Sequence, residues 1–203
     1  MNSSHIDARS SARPSLETRP TSQQFLTGVA LSGSAGIVAA LCSVLGTGNW
    51  YGSLIKPLWA PMLGVFAPVQ VLIFVLTGVA LAYLWASQTG AANKRVVLFW
   101  FWTQCALSLA WSFCFFVLHS PAWSYAAVMI LWCAIVALMW TGSRLSRRAF
   151  WFLTPLFFWV TFTSSLTFAI LSFNILRSES AQMDADPRNA NSPADPPIIV
   201  RGK

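Results

Sequence analysis

The side chains best suited to chemistry in this sequence are tryptophans that lie beside neutral polar residues. Eleven of the 203 residues are tryptophan. One polar-aromatic stripe shares a single helical face through the spacing i, i+4, i+7 and i+8, and consists of Gln104, Ser108, Trp111 and Ser112. A second stripe recurs every four residues and consists of Pro155, Trp159, Thr163 and Thr167. Because indoles stack on flat molecules and neutral polar groups bond their edges, the stripes suit a flat apolar ligand or, equally, hydrogen bonds between helices.

Acid–base catalysis and metal binding lack the residues that they need. All six acidic residues lie within the first 17 or the last 25 positions, so none lies between Thr18 and Ser178. His5 lies in the N-terminal tail, and His119 lies in a turn without a partner carboxylate. The four cysteines follow no metal-ligand spacing: Cys42, Cys105, Cys114 and Cys133. The sequence therefore predicts no catalytic residue, no metal site and no covalently bound cofactor.

The long stretch without carboxylates also indicates a membrane protein. The chain is 56% hydrophobic and only 9% charged, whereas a soluble domain carries about 25% charged residues. Five apolar stretches are long enough to cross a bilayer as helices, near 25–45, 66–85, 96–118, 123–141 and 149–176. The sequence predicts an all-α, multi-pass integral membrane protein, a five-transmembrane-helix bundle over 25–176. The polar tails 1–24 and 177–203 are predicted to be disordered.

The basic residues predict how this bundle is oriented. Five cations lie in the loops after the second and fourth spans: Lys94, Arg95, Arg144, Arg147 and Arg148. Only Lys56 lies in the loops after the first and third spans. The positive-inside rule places the former loops and the N-terminal tail on the cytoplasmic or equivalent side. The net charge of +7 is thus explained by topology and predicts no nucleic-acid partner; a bacterial cell membrane and an organelle membrane both stay open as hosts.

The loop after the first span carries a resemblance to a known family. It reads NWYGSLIKPLWAPMLGVFAPV, with Pro57, Pro61 and Pro68 expected to limit helix formation. The segment resembles a signature of the TspO/MBR family, the tryptophan-rich sensory proteins and translocator proteins. The matching positions are Trp50, Tyr51, Leu54, Lys56, Pro57, Trp59 and Pro61. The segments QCALSLAWSFCFF and TPLFFWVTFTSSLTFAILSFN are similar to the family's third and fifth spans, and Trp132 to the tryptophan of its fourth.

The resemblance implies a pocket in the bundle with the first loop folded over it as a lid. It implies binding of a porphyrin-type tetrapyrrole, such as a porphyrin or haem, or of another apolar ligand, and a possible homodimer. The ligand-binding residues predicted on this basis are Trp50, Trp59, Gln104, Ser108, Trp111, Trp132, Trp159 and Thr163. Stacking and edge hydrogen bonds would be their role.

Several residues differ from the family pattern, and these differences limit which of the family's activities we expect. Gln70 stands where many members have a pocket tryptophan, so the light-dependent porphyrin degradation of some members is expected to be weak at most, and no enzyme is predicted. The Tyr and Arg of the family's sterol-recognition segment are absent near the end of the fifth span. Other replacements within the matched spans are Ser108, Phe113, Leu156 and Thr167. The alternatives to a ligand-binding sensory protein are a passive transporter of small apolar solutes and a scaffold that acts through helix contacts.

Overall fold

A computed structural model of the chain describes residues 19–46, 50–88 and 90–185. The helices are α1 Ser22–Gly46, the single turn α2 Trp50–Ser53, α3 Leu63–Ala86, α4 Ala91–Ser112, α5 Pro121–Ser143 and α6 Arg147–Ala185. Within this part of the chain, five helices are long and apolar enough to cross a membrane, namely all except α2. The predicted fold class and number of spans are confirmed.

Local sequence signals explain the starts of two of the spanning helices. Thr21 and Gln24 form a reciprocal capping box at the start of α1, where each side chain accepts a hydrogen bond from the other residue's backbone N–H. Pro121 occupies the first turn of α5, where its missing N–H needs no partner. The end of α4 widens into a π-helical turn at Phe113–Val117. The chain then reverses at His119, whose φ of 53° lies in the left-handed region.

Three features differ from the prediction. Helix α1 begins at Ser22, so residues 22–24 are helical and not part of a disordered tail. Helix α6 continues to Ala185, so residues 177–185 are helical and not part of a disordered tail; the run of Glu, Ala, Gln and Met has good helix propensity and meets no proline before position 187. Pro68 lies inside α3 and does not delimit it. It is the sixth residue of α3, so its missing N–H removes a single hydrogen bond close to the start of the helix. Residues 1–18 and 186–203 of the predicted tails lie outside the described residues.

The spanning helices form a closed ring in which neighbours in space are not always neighbours in sequence. Helix α1 packs along α3, α3 along α6, α6 along α5 and α5 along α4, and α4 returns to α1. The interior holds large apolar side chains such as Phe74, Phe101 and Ile135. Other large apolar side chains, including Leu45 and Phe158, are exposed. In a protein that crosses a bilayer these outward side chains face lipid.

Helices α1 and α3 approach each other closely because small residues face one another there. A Cβ atom on Gly28 would lie 2.6 Å from the carbonyl oxygen of Gly78, and one on Gly78 would lie 2.6 Å from the carbonyl oxygen of Gly28. Farther along α1, a Cβ on Gly36 would lie 2.6 Å from Cβ of Phe74. Small residues allow this approach of two helix backbones in a membrane. The small-residue face of α1 is therefore used inside the protomer.

This arrangement makes a testable prediction about topology. Ser53, Gln88 and Ser143 are all exposed, the first at one end of the bundle and the other two at the opposite end. In a cysteine-free background, a single cysteine at Gln88 or Ser143 should react with an impermeant maleimide from one side of the membrane. A cysteine at Ser53 should react only from the other side. Labelling of the Ser53 and Ser143 positions from the same side would rule out five spans.

Candidate functional site

The two polar-aromatic stripes meet at a small cavity in the half of the bundle that lies below the first loop. Four helices supply its lining, which consists of Gln70 from α3, Ser108 and Trp111 from α4, Val128 and Leu131 from α5, and Leu156, Trp159, Val160 and Thr163 from α6. The cavity measures about 10 Å³, which is enough for about one water molecule. The predicted stripes thus face the interior, and their aromatic rings fill most of the space between them.

A hydrogen bond between side chains closes the cavity on the α3–α6 side. The indole Nε1–H of Trp159 donates to Oε1 of Gln70 over 3.2 Å, and both side chains are at least partly buried. On α6 itself, the hydroxyl of Thr163 donates to the Trp159 carbonyl over 2.8 Å. The Thr163 proton is therefore engaged within the helix, whereas its oxygen can still accept a hydrogen bond.

Several polar atoms beside the cavity are buried without a partner. Among the described residues, these include Nε1 of Trp111, Oγ of Ser112 and Oε1 of Gln104. Trp111 is 4% exposed and lines both this cavity and a narrower adjoining gap with Ser112 and Gln70. Leaving such a group unpaired costs about 1–3 kcal/mol. An indole N–H beside a cavity can be satisfied by a water molecule or by the polar edge of a ligand.

The first loop contacts this region through aromatic rings. Tyr51 is buried, with its ring edge-on to Phe66 at 6.4 Å and to Phe115 at 6.3 Å between centroids. Its hydroxyl has no partner among the described residues, and burial raises the pKa of this phenol. Lys56 covers the outer side of the Tyr51 ring, with Nζ 4.2 Å from the centroid. The loop is thus packed onto the bundle as the sequence resemblance implies.

A row of three aromatic rings connects the outer part of this loop to the cavity. Trp59, which is 51% exposed, lies edge-on to Phe162 at 5.7 Å. Phe162 in turn stacks on Trp159 at 5.7 Å. The loop is also tied to α6 by Asn174, whose side-chain amide accepts from the Ile55 N–H and donates to the Ile55 carbonyl. A displacement of the loop would therefore disturb the packing of Trp159.

The structure brings together part of the predicted ligand-binding set. Four members line the cavity: Ser108, Trp111, Trp159 and Thr163. Gln104 is fully buried on the same face of α4, one turn farther from the loop, with Nε2 3.1 Å from Sγ of Cys105. Trp59 belongs to the loop, and Trp50 lies at the start of α2 against Phe115 and His119.

Trp132 stands apart from the cavity. Its indole N–H donates to the hydroxyl of Thr161, an exposed residue on the outer side of α6, over 3.0 Å. Five residues that line the cavity are absent from the predicted set, namely Gln70, Val128, Leu131, Leu156 and Val160. Gln70 is the polar one among them. The spacing of Phe66 and Gln70, one helical turn apart at the end of α3 nearest the loop motif, was the available signal.

Comparisons with known proteins agree with the motif in the first loop. The family model of the TspO/MBR family matches residues 27–172. The chain is 37% identical over 127 residues to the tryptophan-rich protein TspO of Chlorobaculum tepidum, covering 62% of this chain and 79% of that protein. It is 31% identical to protein CrtK of Rhodobacter capsulatus (69% and 86% covered) and 29% identical to the human translocator protein (70% and 86% covered). With its five spanning helices and tryptophan-rich loop, the chain is an integral membrane protein that belongs to the TspO/MBR family.

Proposed function

We propose that this protein binds a porphyrin-type tetrapyrrole, or a similarly flat apolar molecule, between Trp111 and Trp159, in a sensory or transport-linked role. The observation that carries the proposal is the unpartnered Nε1–H of Trp111 beside a cavity that Trp159 also lines. Such a site offers stacking surfaces together with a hydrogen-bond donor for a polar edge. The names of relatives, a tryptophan-rich sensory protein and a translocator protein, support the role.

Ligand binding requires the cavity to enlarge. Its volume of about 10 Å³ is far below the roughly 300–1,000 Å³ of ordinary small-molecule pockets. Opening would break the Trp159–Gln70 hydrogen bond, worth about 1 kcal/mol net. It would also separate ring contacts such as Phe162–Trp159, worth about 0.5–1.5 kcal/mol beyond area for each pair. A tetrapyrrole that buries several hundred Å² of apolar surface at about 25 cal/mol/Å² can offset these terms.

Binding of protoporphyrin to the purified full-length protein tests the proposal. We expect the pigment to quench tryptophan fluorescence saturably, with one molecule bound per protomer, because the cavity is a single site shared by four helices. Quenching that rises without saturation, as it does when the pigment only partitions into micelles, would reject the proposal. Uptake of the pigment into proteoliposomes then separates a passive transporter from a receptor. If the protein binds no pigment at all, the scaffold that acts through helix contacts is the alternative that is left.

A second prediction concerns light. We propose that the chain is not an efficient porphyrin-degrading enzyme, because the amide of Gln70 cannot be oxidised as an indole can. Illuminated protoporphyrin should bleach slowly in the native protein, and Gln70→Trp should accelerate the bleaching, since position 70 lies within hydrogen-bonding reach of Trp159. The matched control is Leu72→Trp, at a 57% exposed position on the same helix. Equal acceleration by both variants, followed by absorbance, would contradict a site-specific effect.

A further inference from the structure

A second recess lies at the end of the bundle opposite the tryptophan loop, between the start of α4 and the end of α5. Its volume is about 200 Å³, and it is lined by Asn93, Val96, Val97, Trp140, Thr141, Arg144 and Leu145. Val97 and Leu145 are buried and form an apolar floor, whereas Asn93 and Arg144 are exposed at its rim. The recess is thus amphipathic and independent of the site proposed above.

Arg144 is the side chain at this recess that can bind an anion. Its guanidinium lies 5.3 Å from the centroid of the Trp140 ring, one helical turn earlier on α5. A cation–π contact consumes no hydrogen bond, so the guanidinium N–H groups can still donate to an anion. The sequence contains no carboxylate between Thr18 and Ser178. The Thr141 hydroxyl already donates to the Ala137 carbonyl, so Arg144 and the Asn93 amide are the donors available at the rim.

Neighbouring cations strengthen the positive potential but are engaged elsewhere. Nζ of Lys94 donates to the Trp85 carbonyl at the end of α3 over 2.9 Å. The guanidinium of Arg148 lies 5.8 Å from the Tyr83 ring centroid. Together with Arg95 and Arg147, these charges make this end of the bundle strongly basic. The charge attracts anions to the surface, and the recess next to Arg144 supplies a shaped site for one of them.

The position of the recess indicates a lipid and not a soluble anion. Trp140 is 66% exposed beside it, as an indole at the membrane–water interface is. The apolar floor reaches Val97, six residues into α4 and therefore about 9 Å along the helix. We propose that the recess binds an anionic phospholipid, with the phosphate on Arg144 and Asn93 and the first part of an acyl chain along Val96 and Val97. Basic recesses between spanning helices bind lipid headgroups in this way.

Titration of the full-length protein with dioleoylphosphatidylglycerol in a non-ionic detergent tests this proposal. Native mass spectrometry should show one phosphatidylglycerol retained per protomer, and thermal melting should show stabilisation that dioleoylphosphatidylcholine does not give. Arg144→Gln should weaken phosphatidylglycerol binding about fivefold, as expected for one arginine–headgroup contact. Arg147→Gln, an exposed arginine outside the recess, should change the affinity less than about twofold.

A second variant guards against a folding defect in the first. Asn93→Asp places a carboxylate at the rim of the recess, where it should compete for Arg144 and likewise weaken lipid binding. Equal losses for Arg144→Gln and Arg147→Gln would mean diffuse attraction to a basic surface and would overturn the proposal. Stabilisation by inorganic phosphate or glycerol phosphate as strong as that by the lipid would overturn it too, because the acyl chain would then contribute nothing.

Discussion

Replacing Trp159 with alanine should weaken protoporphyrin binding by about tenfold or more, a loss of about 1.4 kcal/mol. The residue lines the cavity, lies 5.8 Å from the Phe66 ring and stacks on Phe162 at 5.7 Å. Its removal eliminates an indole face that would pack on the pigment and opens a void that the neighbouring rings cannot fill. The affinity should be measured from the shift of the pigment's own absorbance, because removing a tryptophan changes the protein fluorescence even without a ligand.

The matched control for this experiment is Trp151→Ala, two turns earlier on the same helix. Trp151 is 61% exposed on the lipid-facing side, so its removal should leave the affinity almost unchanged. Trp159→Phe should fall between the two, since it keeps an aromatic face but loses the N–H that bonds Gln70. Equal losses for Trp151→Ala and Trp159→Ala would show that the pigment dissolves in the micelle, and the assignment of the cavity would fail.

Gly28→Leu should lower the free energy of unfolding by about 3 kcal/mol, at the upper end of the usual cost of overpacking. A Cβ atom at this position would lie 2.6 Å from the backbone oxygen of Gly78 and 3.3 Å from the backbone nitrogen of Ala82. Backbone atoms cannot move aside as a flexible side chain can, so α1 and α3 must separate. Reversible unfolding in mixed micelles measures the change.

Gly33→Leu provides the control for the helix itself. It lies on the same helix, but a Cβ at Gly33 would meet nothing within 4 Å. Its effect on the free energy of unfolding should stay within about 0.5 kcal/mol, as for other substitutions at open positions. If both variants unfold equally easily, close approach of α1 and α3 does not limit the stability of the bundle.

The sequence was sufficient to predict those features that the bilayer itself dictates. The hydrocarbon core requires about 20 apolar helical residues per span. This requirement alone located all five spanning helices in the correct order. It also requires buried polar groups to face protein, which placed Ser108 and Thr163 on interior faces, as observed. The bilayer sets no such requirement beyond its surface, and there the prediction failed: the helical continuation after residue 176 depends on local propensity, which the polar composition obscured.

The details of the cavity could not be predicted because they depend on contacts between distant residues. The Gln70–Trp159 hydrogen bond joins residues 89 positions apart, and nothing in either local segment specifies it. Trp132 is half-buried on α5. Only the packing of α6 decides that its N–H donates to Thr161 outside the cavity. The volume of the cavity also depends on contacts between distant residues, since it results from how side chains on several helices pack together. A homodimer stays a prediction of the resemblance.

The order of helices around the ring has a consequence for how the protein is made. Helix α6 leaves the ribosome after the other four spanning helices described here, yet it lies between α3 and α5. Until it inserts, the first four spanning helices expose one side of Gln70 and Leu131, both residues that later line the cavity. The cavity therefore does not exist until α6 has inserted beside α3 and α5. A chain arrested before α6 would retain the α1–α3 pair and the α4–α5 pair, but it would have no enclosed site.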